Sequence, residues 1–186
     1  MIRVLFLIFI NLFIHSELIL EITESGNKQV KIAILQKNDS TFVGQQIVNI
    51  ISNDLKRTGE FDILSSDQLL SIPKNESEVI QRDWLMLDVD SIVFVETKEN
   101  GGSLDISYSI FNVSYNETQE KRRVLGLPEG IRQSSHYVSD GIYEFFFGID
   151  GVSSTKLMYV TKNSNIHRLM ISDADGFNEQ ILLKSN

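Results

Sequence analysis

The stretch "VKIAILQKNDSTFVGQQIVNIISNDLKRTGEFDILS", residues 30–65, decides the fold. Within residues 30–36, Ile32, Ala33, Ile34 and Leu35 form an unbroken apolar run, which is typical of a buried strand. From Val43 the apolar residues recur at positions 43, 47, 50, 51 and 55, which is the stripe of an amphipathic helix ending before Gly59. Residues 61–65 then return to a strand pattern. Strand, helix and strand in about 35 residues predict a crossover unit of an α/β fold.

The next 85 residues extend the same pattern. A short helix is predicted over residues 78–87 and a long one over residues 131–148, with strands between them at 90–98, 103–113 and 118–127. The sequence "ENGG" predicts a hairpin, because Asn-Gly supplies the positive φ angles of a tight turn. We therefore expect residues 17–150 to form one α/β (α+β) domain, a mixed sheet with flanking helices.

From residue 151 the chain changes to short strands separated by polar and Asp-Gly turns. Two strands are clear, and "QILL" (180–183) is a possible third. A propeller blade needs four strands, and a closed ring needs several blades. We therefore expect residues 151–186 to be the truncated start of a β-propeller.

The composition excludes several classes of function. The chain has 186 residues, no cysteine and a net charge of −8. Without cysteine it has no disulfides, no thiolate nucleophile and no Cys-based metal site. An acidic chain of this size is a poor binder of polyanions, so we expect no nucleic-acid partner. We also expect no cofactor and no metal, because the chain shows neither a phosphate-binding glycine loop nor a histidine-rich tract.

The first 25 residues indicate export. Arg3 precedes an apolar run over residues 4–14, which is shorter than the ~20 residues of a membrane span. We predict a signal peptide over residues 1–16 and an exported, soluble protein; an uncleaved anchor or a buried strand is the alternative. In residues 17–25, "ELILEITES", Leu18, Leu20 and Ile22 alternate with Glu17, Ile19, Glu21 and Thr23, which predicts a short strand with one apolar face.

Two patterns resemble catalytic or metal sites. His136 and Asp140 are four residues apart and follow Ser134 and Ser135, so a secreted hydrolase is one alternative function. Serines directly before the histidine do not form an exposed nucleophile elbow, which favours a surface His–Asp pair. "DADG" (173–176) resembles the start of a calcium loop but lacks its later ligands, which favours a turn between strands. A periplasmic ligand-binding domain is a further alternative.

Long stretches of the chain resemble the amino-terminal part of the TolB family of the periplasmic Tol–Pal system. The matching segments are "LEITESG", "IVNIISNDLKRTGEFDILS", "DWLMLDVDSIVFVE", "LDISYSIFNV", "IRQSSHYVSDGIYEFFFGIDGVSSTKLMYVTK" and "LMISDADGFNEQILLKS". They occur in the family's order. The resemblance implies a first domain shaped like an anticodon-binding domain, followed by a β-propeller, and an adaptor rather than an enzyme.

The resemblance also implies partners. In this family the mature N-terminus binds TolA, the propeller binds the lipoprotein Pal, and colicins use the same contacts during import. The system supports outer-membrane integrity and invagination at cell division. An extended segment can bind by adding a strand to a partner's sheet edge; the alternative is that it is the domain's own edge strand. The implied TolA-binding residues are Leu18, Ile19, Leu20, Glu21, Ile22, Thr23 and Glu24.

Overall fold

The computed structural model of the protein describes residues 28–37 and 41–185. The described elements comprise eight strands and three α-helices. The first sheet is built from β1 (Val30–Gln36), β2 (Phe61–Ile63), β3 (Ser91–Asn100), β4 (Ser103–Asn112) and β5 (Glu117–Gly126). The helices are α1 (Phe42–Arg57), α2 (Gln81–Met86) and α3 (Ile131–Phe147), and the second sheet contains β6 (Lys156–Asn163), β7 (Ile166–Asp173) and β8 (Gln180–Ser185).

The first sheet is mixed, as the sequence predicts. Its strand order is β2-β1-β3-β4-β5, with β1 parallel to both β2 and β3 and with β3, β4 and β5 antiparallel. The parallel pair β1 and β2 is joined by α1, so the predicted strand–helix–strand crossover is confirmed. Strand β3 lies in the middle of the five strands.

The ends of helix α1 are set by a capping threonine and by a glycine. Thr41 caps its first turn by accepting a hydrogen bond from the Gly44 backbone N–H at 3.0 Å. Gly59, with φ of 77°, follows the last turn. The buried stripe includes the predicted positions 47, 51 and 55, while positions 43 and 50 are only half buried and Val48 takes part instead. Asp54 is buried in the same stripe, which the apolar pattern did not predict.

Apolar side chains cover both faces of the first sheet. On one face, α1 and α3 pack onto residues that include Ile34, Val93 and Ile106. On the other face, Trp84 of α2 packs with residues that include Leu35 and Phe94. Along β4 the alternate residues Leu104, Ile106, Tyr108 and Ile110 are all buried.

The β3–β4 hairpin differs from its prediction in one respect. Asn100 is the last paired residue of β3 and lies opposite Ser103. The two turn residues are therefore Gly101 and Gly102, with φ of 58° and 85°. A two-residue turn with positive φ at both positions suits the twist of a hairpin, and two glycines meet that demand without steric cost.

Gly148 ends α3 in the left-handed conformation, with φ of 69°, and its N–H bonds the Glu144 carbonyl. We expect Gly148→Ala to lower the free energy of unfolding by about 1–2 kcal/mol, because a Cβ is disfavoured at that backbone angle. Urea denaturation measures this. Gly130→Ala is the matched control, since Gly130 has φ of −96° and open space around its Cα. Equal losses in the two variants would contradict the explanation.

The second sheet is antiparallel, in the order β6-β7-β8, and confirms the two clear strands and the possible third. Apolar side chains of β6 and β8, including Val160 and Leu183, are well exposed. The described helices, taken over residues 28–37 and 41–185, include none with the length and apolar character of a membrane span.

Candidate functional site at the joint of the two sheets

The predicted partner-binding segment, residues 18–24, lies outside the described residues. Its role therefore stays a prediction. Within the part of the chain that is described, a network of polar and charged side chains lies at the joint where α1, α3 and the second sheet meet.

The predicted surface pair of His136 with Asp140 is wrong. The His136 side chain is 1% exposed, and its Nδ1 lies 2.6 Å from the carboxylate of Asp54 on α1. Asp140 instead accepts hydrogen bonds from the backbone N–H groups of Ser153 and Ser154, at 2.7 and 3.0 Å. The two side chains share one helix but bind different neighbours, so the hydrolase geometry based on them is not formed.

The serines near the histidine do not complete a nucleophilic site either. The Ser135 hydroxyl donates to the Ile131 carbonyl, one turn earlier in the helix. The Ser139 hydroxyl donates to the Asp54 carboxylate at 2.8 Å. Neither of these two hydroxyls is bonded to the imidazole ring, which a general base would require. In this site both are structural donors.

Asp54 is the centre of a buried polar network that ties α1 to α3. It is 1% exposed and accepts hydrogen bonds from His136, from Ser139 and from Arg57, the last at 2.9 Å. A buried carboxylate is costly unless such donors surround it. The sequence held one signal of this network, an acidic residue within the apolar stripe of a helix.

Arg132, in the first turn of α3, links the helix layer to the second sheet. Its guanidinium bonds the carboxylate of Asp175, its Nε lies 3.8 Å from Asp173, and its Cζ lies 4.0 Å from the centroid of the Phe177 ring. The last contact has the geometry of a cation–π interaction. Sequence reasoning missed Arg132 and Phe177, because only the tertiary fold brings positions 45 residues apart together.

The "DADG" stretch forms the turn between β7 and β8, as the sequence analysis favoured. The Gly176 N–H bonds the Asp173 carbonyl at 2.9 Å, and the Asp173 N–H bonds the Phe177 carbonyl at 2.8 Å. The Asp173 carboxylate pairs with Lys156 and accepts a hydrogen bond from Asn178 at 2.8 Å. Burial alone would raise the pKa of Asp173, but these donors hold it below its usual value.

Asp54, His136 and Asp175 also place three potential metal-ligand atoms within 4.8 Å of one another. Two of these groups are carboxylates that arginine side chains already occupy, Asp54 by Arg57 and Asp175 by Arg132. A divalent ion would add charge to a site that the arginines already balance. The arrangement fits an ion-paired joint better than a metal centre.

Asp140 fixes the connection that leads from α3 into the second sheet. We expect Asp140→Ala to leave the Ser153 and Ser154 N–H groups without their acceptor and to increase opening of residues 150–155. Limited proteolysis and amide hydrogen exchange measure this opening. Asp150→Ala is the control, because Asp150 is exposed. Unchanged exchange at Ser153 and Ser154 in the Asp140 variant would contradict the assignment.

The outer strand of the first sheet, β5, carries the basic run over residues 120–123. It lies at one edge of the sheet. Arg122 pairs with Glu144, and Arg123 makes two hydrogen bonds to Asp105, at 2.7 and 2.6 Å. These arginines are therefore committed to intramolecular pairs rather than to an anion site.

Comparison with known proteins gives one consistent result. The family model described as the TolB amino-terminal domain matches residues 18–119. A Tol–Pal system protein TolB from Alcanivorax borkumensis is 31% identical over 176 residues, which is 92% of this chain and 41% of that protein. The corresponding protein of Pseudomonas aeruginosa is 31% identical over 173 residues, 89% of this chain and 40% of its own length.

A solved structure agrees with these sequence relatives. The crystal structure of TolB from Acinetobacter baumannii superposes with a TM-score of 0.72 at 27% identity, covering 86% of this chain and 39% of that one. This match fits an amino-terminal domain with a mixed sheet followed by part of a propeller. This chain spans about two fifths of the length of the relatives that it matches.

Proposed function

The chain belongs to the family of the TolB amino-terminal domain, and from this premise we propose that it acts in the bacterial periplasm as a component of the Tol–Pal system. The single observation that carries the proposal is the family match over residues 18–119. The relatives bear the name of that system. The proposed role is that of an adaptor that supports outer-membrane integrity and invagination during division, without catalysis.

We propose a division of the chain into three parts. Residues 1–16 act as the export signal, residues 17–150 form the α/β domain, and residues 151–186 begin a propeller. The apolar side chains exposed on β6 and β8 support the last assignment, since the sheets of a propeller pack against neighbouring blades. In the longer family members the propeller would bind Pal.

TolA is the proposed partner of the N-terminal segment. Residues 18–24 would add as a strand to the edge of a TolA sheet, with backbone hydrogen bonds giving affinity and alternate side chains giving specificity. The family match begins at residue 18, so it includes this segment. Colicins that enter through the same system would use the same contacts.

A deletion tests the TolA assignment. The chain starting at residue 17 is compared with the chain starting at residue 26, each titrated onto immobilised TolA. We expect the deletion to abolish binding and to leave the far-ultraviolet circular dichroism nearly unchanged, because the first described strand starts at Val30. A third form, in which residues 17–25 are replaced by Gly and Ser residues, controls for length. Undiminished TolA binding by the deleted form would refute the assignment.

A further inference from the structure

His136 is a titratable side chain that is buried at the joint, and only one of its two ring nitrogens has a hydrogen-bond partner among the described residues. Its Nδ1 must carry a proton, because the Asp54 carboxylate 2.6 Å away can only accept a hydrogen bond. Its Nε2 is buried and has no hydrogen-bond partner among the described residues. A neutral ring therefore leaves one polar atom unpaired in the interior, which is costly.

The ring lies in a network of ion pairs whose members come from α1, α3 and the second sheet. They are Asp54 and Arg57 on α1, Arg132 on α3, and Lys156, Asp173 and Asp175 on the second sheet and its turn. The three carboxylates and the three basic groups balance in charge, so the charge state of the histidine decides the net charge of the joint. The ring is thus placed between the helices of the first sheet and the acidic turn of the second.

The acidic turn lies within electrostatic reach of the ring. A carboxylate oxygen of Asp175 lies within 4.8 Å of a ring nitrogen of His136 and of the Asp54 carboxylate. Burial tends to raise the pKa values of Asp173 and Asp175, yet both are lowered, and a positive charge on His136 contributes to this after their direct donors. A protonated ring therefore favours the ionised form of both aspartates.

We propose that the joint is a pH-sensitive device, in which protonation of His136 seats the second sheet more firmly on α1 and α3. Protonation adds an N–H at Nε2 and a positive charge beside the turn that holds Asp173 and Asp175. Histidine is the side chain whose charge ordinarily changes between about pH 5 and 8. The attraction requires a charged ring and ionised aspartates. It is therefore present in mild acid, is lost on the alkaline side when the ring is neutral, and is lost in strong acid when the aspartates are protonated.

Spin labels measure how firmly the second sheet is held against the helices of the first. They can be attached at introduced cysteines, because the chain contains no cysteine of its own. Gln119→Cys and Lys162→Cys place one label on the exposed surface of each sheet. We expect the distribution of label distances to narrow between a pH above and a pH below the titration of the His136 ring. Its midpoint should coincide with the titration of the His136 ring protons, followed by nuclear magnetic resonance in the same protein.

Two variants separate the proposal from a purely structural role. His136→Gln keeps a hydrogen-bond donor but cannot be charged, so its distance distribution should be the same at both pH values. His167→Gln, at an exposed position of β7, should retain the full response. The proposal is overturned if the wild-type distances do not depend on pH, or if His136→Gln keeps the dependence. If His136→Gln does not fold, a mismatch between the midpoints of ring titration and distance in the unmutated chain overturns it.

Discussion

Replacing Asp54 by alanine is expected to lower the free energy of unfolding by about 2–6 kcal/mol, because it leaves two buried hydrogen-bond donors unpaired at about 1–3 kcal/mol each. The carboxylate accepts hydrogen bonds from His136, Ser139 and Arg57. Without it, two buried donors on α3 lose their acceptor. Since small domains have only about 5–15 kcal/mol of stability, the loss is a large share of the total. Urea denaturation followed by circular dichroism gives the value.

Asp62→Ala is the matched control for this prediction. Asp62 is an aspartate with a basic neighbour, Lys31, at 4.0 Å, but its side chain is 54% exposed. An exposed pair of this kind contributes at most about 1 kcal/mol. Similar losses in the Asp54 and Asp62 variants would show that the buried network does not hold α1 and α3 together.

Replacing Trp84 by alanine is expected to lower the free energy of unfolding by about 3–5 kcal/mol. The side chain is 1% exposed and is the largest buried side chain of the layer on the sheet face opposite α1 and α3. Its removal leaves a cavity against Phe94 and Leu35, in addition to the lost burial of the ring. Both terms lower stability, and thermal and urea unfolding report their sum.

The neighbouring residue provides the control for this second prediction. Leu85 follows Trp84 on α2 but is 50% exposed, so Leu85→Ala should change the free energy of unfolding by less than about 1 kcal/mol. Comparing the Trp84 and Leu85 variants separates the loss of the buried ring from any effect of alanine on the helix itself. If the two substitutions cost the same, α2 does not depend on the tryptophan for its packing.

Local patterns in the sequence were sufficient to predict most of the fold. The spacing of apolar residues predicts the crossover from β1 through α1 to β2, and it also predicts helix α3. Neighbouring glycines predict the β3–β4 hairpin. Even the third strand of the second sheet, β8, has an apolar run bounded by a turn. Each of these elements is encoded by one continuous stretch of sequence, of which the longest, α3, has 17 residues.

The polar joint is different, because its partners are far apart in the chain. His136 and Asp140 have the spacing of a helical pair, and that local rule produced a wrong pairing. The true partner of His136 is Asp54, 82 residues away, and Arg132 meets Asp175 43 residues later. These contacts depend on how α1, α3 and the second sheet pack. An aspartate inside an apolar helix stripe was the only local sign of them.

The most direct test of the proposed adaptor function compares the two faces of the N-terminal segment in the chain starting at residue 17. The first variant carries serine in place of Leu18, Leu20 and Ile22. The second carries serine in place of the intervening residues Ile19, Glu21 and Thr23. We expect the first variant to bind TolA at least about a hundredfold more weakly, because three buried apolar anchors are lost. The second should stay within about tenfold of the unmodified chain. Equal weakening by both variants, or no weakening by the first, would contradict strand addition to TolA through this segment.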